Sequence, residues 1–280
     1  MQKRKLGRTD AELSVVGFGG IVVRDVTPEA AAEHVAEAIR RGVNYFDVAP
    51  AYGNAEERLG PALEPYRDQV FLACKTGAAG AAEAREELDH SLERLRTNRF
   101  DLYQLHGVES VEKAERVLAP GGAVETLLEA KEAGRCRYIG FSAHNEAAAV
   151  KLLERGVFDS MLLPLNFACW QRGGFGPRAV EAAVDRGVGV LALKALALRP
   201  RRGGEDRKWP KCWYTPIDGQ PEATAALRFT LSLPVTAAVS PSHAELLWLA
   251  CDAAEAMEAM SDEQQAEALA GAGGAPIFQS

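Results

Sequence analysis

Gly42-Val43-Asn44-Tyr45-Phe46-Asp47-Val48-Ala49-Pro50-Ala51-Tyr52-Gly53 is the stretch that decides how this chain folds. Asn44–Asp47 reads as a short strand that stops on a carboxylate and runs straight into a loop carrying a phenol. Ahead of it, Pro28–Arg41 has a helical pattern, with Thr27 placed to cap it and Pro28 in its first turn.

Working outward, the same order recurs. Candidate strands are Val15–Gly19, Asn44–Asp47, Val70–Cys74, Leu102–His106, Tyr138–Ser142, Ser160–Leu165, Gly189–Leu193 and Val235–Val239. Helical patterns follow them, as in Ala81–Arg96, where Leu88, Leu92 and Leu95 recur at helical spacing. Eight β-then-α units in 280 residues predict an α/β fold, a single (β/α)8 TIM barrel domain over residues 1–280. In front of it, Lys3–Leu6 and Leu13–Val16, joined by Gly7-Arg8-Thr9-Asp10, predict an N-terminal β-hairpin. A doubly wound Rossmann sheet is the competing architecture, but no GxGxxG opens a helix, and Gly17-Phe18-Gly19-Gly20 is too short for that fingerprint. Arg199 to Thr215 holds two prolines, two glycines, two tryptophans and six basic residues. It predicts a long loop after the seventh strand, over the active-site face of a barrel. From Ala266 onward, residues 266–280 form an Ala/Gly-rich tail expected to be only partly ordered.

With 47% hydrophobic and 25% charged residues the chain excludes intrinsic disorder, and its net charge of −7 argues against a general nucleic-acid binder. No apolar h-region follows the basic start and no apolar run approaches the ~18 residues of a membrane span, so a cytoplasmic protein without a membrane partner is expected. Cys74, Cys136, Cys169, Cys212 and Cys251 form no CxxC pair and read as reduced thiols. The oligomeric state is left open.

In a barrel, residues at the carboxyl ends of the strands converge on one pocket. The second strand delivers Asp47, with Tyr52 in the loop behind it; the third delivers Lys75 and the fourth His106. Together they make a proton-donating site. A phenol titrates near pH ~10 and donates poorly unless a nearby ammonium favours its phenolate. Lys75 supplies that charge, Asp47 holds Lys75, and His106 orients a substrate oxygen. Such a site protonates a carbonyl oxygen as it accepts a hydride. None of these side chains carries a hydride, so a nicotinamide cofactor is implied.

From roughly Lys3 to Ala254 the sequence resembles an aldo/keto reductase. Arg4-Lys5-Leu6-Gly7-Arg8-Thr9, then Val16-Gly17-Phe18-Gly19-Gly20, is similar to that family's hairpin and first strand. Gly42 to Gly53 with Glu56 resembles its most specific motif. The resemblance implies NAD(P)-dependent interconversion of an aldehyde or ketone, including sugars and small carbonyl compounds, with its alcohol. It assigns a catalytic tetrad to Asp47, Tyr52, Lys75 and His106. It also implies cofactor contacts at Gly20, Ile21, Asp47, Ser142, Ala143, Asn166, Leu193, Lys194, Ser240 and Ser242. Tyr138-Ile139-Gly140-Phe141-Ser142 matches the family's fifth strand, but Ala143 stands where an Asn is usual, Leu162 where a Gln is frequent, and Leu193 where an aromatic often stacks on the nicotinamide. NAD is expected to bind at least as well as NADP, since no Lys or Arg occurs after Arg228 to take a 2′-phosphate.

Each sharp reading has a plainer companion. Asp47 and Lys75 alone would be a structural ion pair. Trp170, Trp209 and Trp213 are candidate substrate walls or simple packing. The basic cluster Arg199, Arg201, Arg202, Arg207, Lys208 and Lys211 is a solvated loop or a partner for a pyrophosphate. Of the remaining histidines only His144 is placed to line the pocket, and no histidine spacing suits a metal. Two other functions fit the same barrel: a Schiff-base lyase using Lys75 or Lys194, and a redox-sensing module that binds nucleotide with little turnover.

Overall fold

Short runs with no polar face become strands here because both of their faces are covered. Barrel side chains lie inside and helices outside. In a computed structural model, which describes residues 1–205, 207–255, 261, 263–264 and 274–280, the strands in chain order are β1 (Lys3–Lys5), β2 (Glu12–Ser14), β3 (Val16–Gly19), β4 (Tyr45–Asp47), β5 (Phe71–Thr76), β6 (Phe100–Val108), β7 (Cys136–Ala143), β8 (Ser160–Pro164), β9 (Gly189–Leu193), β10 (Ala197–Pro200), β11 (Tyr214–Pro216) and β12 (Ala237–Val239). Strands β3 to β9 and β12 close into a parallel barrel, with β12 pairing both β9 and β3. The expected (β/α)8 architecture is therefore the observed one.

Among the described residues the helices are α1 (Pro28–Arg40), α2 (Ala55–Leu63), α3 (Ala81–Arg94), α4 (Val111–Leu118), α5 (Ala123–Glu132), α6 (Glu146–Glu154), α7 (Pro177–Asp185), α8 (Gln220–Ser232) and α9 (Ala244–Glu255). Side-chain caps set several of their starts. Thr27, Ser110 and Asn145 accept hydrogen bonds from the N–H groups of Ala30, Lys113 and Ala148, starting α1, α4 and α6. Ser110 and Asn145 each follow a barrel strand by two residues, so the turns above the pocket are short and firmly held.

The hairpin β1–β2 plugs the amino-terminal mouth. Leu6, Ala11 and Leu13 are buried in one cluster with Tyr45, Phe71 and Leu102 from inside the barrel. Gly7 makes this possible. Its φ is +51°, and a Cβ there would lie 2.4 Å from the backbone N of Gly189. With that mouth closed, the cavity opens only toward the carboxyl ends of the strands.

Two expectations gain detail. Arg199–Thr215 is not wholly irregular: its ends belong to β10 and β11, which zip into an antiparallel ribbon over a cluster of Ala197, Cys212, Tyr214 and Leu246. Strands of three and four residues are too short to show an alternating pattern in the sequence. In the tail, part of 266–280 lies outside the described residues. Its end is docked: Ala275 N–H donates to the Leu198 carbonyl, Ser280 N–H to that of Gly173, and Ile277 and Phe278 pack against the core. Two large apolar residues suffice to anchor an otherwise low-complexity segment. No helix among the described residues is long and apolar enough to cross a membrane.

Candidate active site

Asp47 ends β4, and its carboxylate is buried in an ion pair with Lys75 of β5. An isolated buried charge is prohibitive, so each group requires the other. The remaining carboxylate oxygen of Asp47, Oδ2, accepts from Tyr45 Oη (3.2 Å) and Gln104 Nε2 (3.1 Å). Burial on its own would lower the Lys75 pKa, but Asp47 and Tyr52 together outweigh it and hold the ammonium above its ordinary range. Lys75 Nζ also donates to the Val48 carbonyl at 3.3 Å and lies 3.4 Å from Tyr52 Oη.

Tyr52 is half-buried and meets the His106 ring edge-on, with centroids 5.5 Å apart. Burial raises its pKa, and the neighbouring Lys75 only partly offsets this, so the phenol keeps its proton at neutral pH. Lys75 pulls in the expected direction but does not dominate. His106 owes its aim to an irregularity in β6. The pairing with β7 shifts between Leu105 and Val108, and Gly107 takes φ +57°. Burial, then Lys75, His144, Lys113 and Lys194, push the His106 pKa down to about 3, so its ring is neutral and presents one N–H donor.

These four side chains line one cavity of about 260 Å³. A larger hollow of about 510 Å³ lies outside the barrel between α6 and α7, lined by ordinary surface charges such as Lys151, Glu154 and Arg178, with no such convergence. Gly20, Ile21, Ser142, Leu193, Lys194, Ser240 and Ser242 also line the tetrad cavity, while Ala143 and Asn166 do not. Asn166 already donates to the Lys194 carbonyl and accepts from Cys169 N–H. Trp213 reaches the rim and is 55% exposed. Trp170 instead packs on Gly176, and Trp209 donates to Asp218 and meets His243 edge-on, both away from the cavity.

The residues present suit a nicotinamide nucleotide. Ser142 Oγ accepts from Gly107 N–H at 2.8 Å, which leaves its hydroxyl proton free to donate to an amide oxygen. Half-buried Leu193 offers an apolar face, and Ser240, Ser242 and Lys211 supply polar donors on the β12 side. Lys75, salt-bridged and firmly protonated, is a poor nucleophile. Sequence reasoning missed Tyr45 and Gln104, which hold Asp47. They stand two positions before Asp47 and His106, so strand alternation puts them on the same inward face, and that parity was the available signal. It also missed Phe278, whose ring stacks on His144 at 5.0 Å and lies 5.9 Å from Trp213.

Comparison with known proteins bears on the family and the fold. The family model described as the aldo/keto reductase family matches residues 15–263. An uncharacterised oxidoreductase, YqkF, of Bacillus subtilis is 34% identical over 157 residues, covering 51% of this chain and 49% of its own. L-galactose dehydrogenase of Arabidopsis thaliana is 28% identical over 228 residues, covering 71% and 66%. The matches thus span about half to two-thirds of these relatives' length. The holo form of an aldo-keto reductase from Bacillus halodurans superposes with a TM-score of 0.78 at 24% identity, covering 99% of this chain and 98% of that one.

Proposed function

Since the chain belongs to the aldo/keto reductase family, we propose that it interconverts a carbonyl compound and its alcohol, with Tyr52 as the general acid and base. The observation that carries this reading is the protonated Tyr52 hydroxyl held between an ammonium, Lys75, and a neutral imidazole, His106, in one cavity.

When bound, a nicotinamide cofactor supplies the hydride. In reduction, the neutral His106 donates a hydrogen bond to the carbonyl oxygen and fixes its position. Tyr52 then gives that oxygen its proton. The phenolate that forms faces Lys75, whose charge is already in place and stabilises it without reorganisation. Asp47, held by Tyr45 and Gln104, keeps Lys75 oriented. In the alcohol-oxidising direction the same phenolate takes the proton back.

The reading that NAD(H) binds at least as well as NADP(H) rests on the lack of any Lys or Arg after Arg228. Among the described residues, Arg199 is paired with Glu205 at 2.8 Å and Arg201 donates to the Glu205 carbonyl, so these loop cations fold back on their own loop.

Tyr52→Phe tests the reading. Carbonyl reduction, followed by the absorbance of the reduced nicotinamide, falls roughly 100- to 10,000-fold, while cofactor binding measured by fluorescence persists. Turnover at the wild-type rate would exclude Tyr52 as the acid.

A further inference from the structure

Lys194 is an ionisable group in the cavity that the tetrad does not use. It follows β9 with φ +63°, a left-handed conformation that a side-chain-bearing residue adopts at a penalty and that the surrounding fold must hold in place. Its Nζ lies 3.4 Å from His144 Nε2 and 5.7 and 5.5 Å from the ring centroids of Trp213 and Phe278. Every group facing it is neutral or cationic: His144 and His106, with Lys113 beyond them, Lys75 across the barrel, and the Cys169 thiol, whose pKa burial raises. Among the described residues it has no carboxylate partner. The cavity as a whole sets three lysines, Lys75, Lys194 and Lys211, against one carboxylate, Asp47, although the chain carries a net charge of −7.

A partly buried lysine is costly to charge without an anion nearby, and that cost is offset when a ligand brings the anion. Lys211, Ser240 and Ser242 stand on the β12 side, where they suit a nucleotide's phosphates. Lys194 is turned the other way, toward His144 and the aromatic rim of Trp213 and Phe278. We propose that Lys194 anchors a carboxylate on the substrate, so that the preferred substrates are aldehydes or ketones bearing a carboxylate a few atoms from the carbonyl. This rests on the reductase reading above.

The chemistry of Lys194 supports the anchor. Burial pushes its pKa down to about 7, so the free amine is ready to be protonated when an anion arrives, and binding takes up a proton.

Two measurements test the proposal. The first compares succinic semialdehyde with butyraldehyde, which differ chiefly in the carboxylate. The wild-type enzyme favours the semialdehyde in kcat/KM, and Lys194→Met and Lys194→Gln reduce that preference about 10- to 100-fold, the range of one charge-assisted hydrogen bond. The second is calorimetry of 4-hydroxybutyrate binding to enzyme loaded with reduced cofactor, in buffers of different ionisation enthalpy. At pH 8 the wild type takes up a substantial fraction of a proton per ligand, as expected for an amine whose pKa is pushed down to about 7, and the variants take up none. A preference that survives in both variants, or proton uptake unchanged in them, overturns the proposal. So does borohydride capture of butyraldehyde on Lys194, which would make the amine a nucleophile. If Tyr52→Phe leaves both aldehydes turning over, the reductase reading fails instead, and the calorimetric result still decides the role of Lys194.

Discussion

Replacing Lys75 by Met tests whether the buried pair is both a structural and a chemical necessity. The side chains of Lys75 and Asp47 are only 1% and 3% exposed. Removing the ammonium leaves the Asp47 carboxylate with two neutral hydrogen-bond donors, Tyr45 and Gln104, and little access to water. Breaking a buried pair in this way costs about 3–5 kcal/mol, whereas replacing both members by apolar groups is often neutral. For a chain of this size the single variant should melt roughly 6–15 °C lower by circular dichroism. Lys75→Met/Asp47→Leu should recover most of that loss but none of the reductase activity, because the phenolate of Tyr52 has no counter-charge in either variant. Because the Lys75 pKa is raised in the folded protein, its share of stability is fully present below pH ~10 and is lost as the pH rises through the folded value. A single variant that melts like the wild type would refute the energetic argument, and a double variant that reduces carbonyls would refute the role of the charge.

Three further outcomes are expected. His106 and His144 are both held neutral in the fold, with pKa values pushed down to about 3 by burial, so the stability they contribute is complete above pH ~6.5 and fades as the pH falls. Urea denaturation at pH 7 and pH 5 should show the wild type losing stability on acidification and His106→Gln/His144→Phe losing less; equal losses would contradict the assignment. Gly107→Ala meets only the His144 ring at 4.0 Å, so its effect is conformational: a loss of about 1–2 kcal/mol from forcing a Cβ to φ +57°, with a fall in kcat as His106 is re-aimed. A variant with unchanged kcat would show that the irregularity in β6 does not position the imidazole. Fluorescence titration should find NADH bound at least as tightly as NADPH; a strong NADPH preference that disappears in Arg201→Ala or Arg202→Ala would show that the loop cations reach the 2′-phosphate after all.

By itself the sequence determined the barrel and the identity of the four converging side chains. Eight apolar runs in β-then-α order leave few architectures open, and Asp47, Tyr52, Lys75 and His106 fall at or just beyond strand ends, which only a barrel gathers into one place. The supporting pair Tyr45 and Gln104 went unread, although strand alternation carried the signal, because residues two apart share a face. What only the tertiary structure decided depends on groups far apart in the chain. Whether burial or Lys75 wins over the acidity of Tyr52 is a sum over several elements, and burial wins. The unpaired Lys194 stands out only once β5, β6 and β7 are seen to bring it no anion. The tail's docking turns on Phe278 meeting His144 more than 130 positions away. Local pattern encodes which face of an element is buried, whereas charge balance and long-range contacts exist only after the chain has closed on itself.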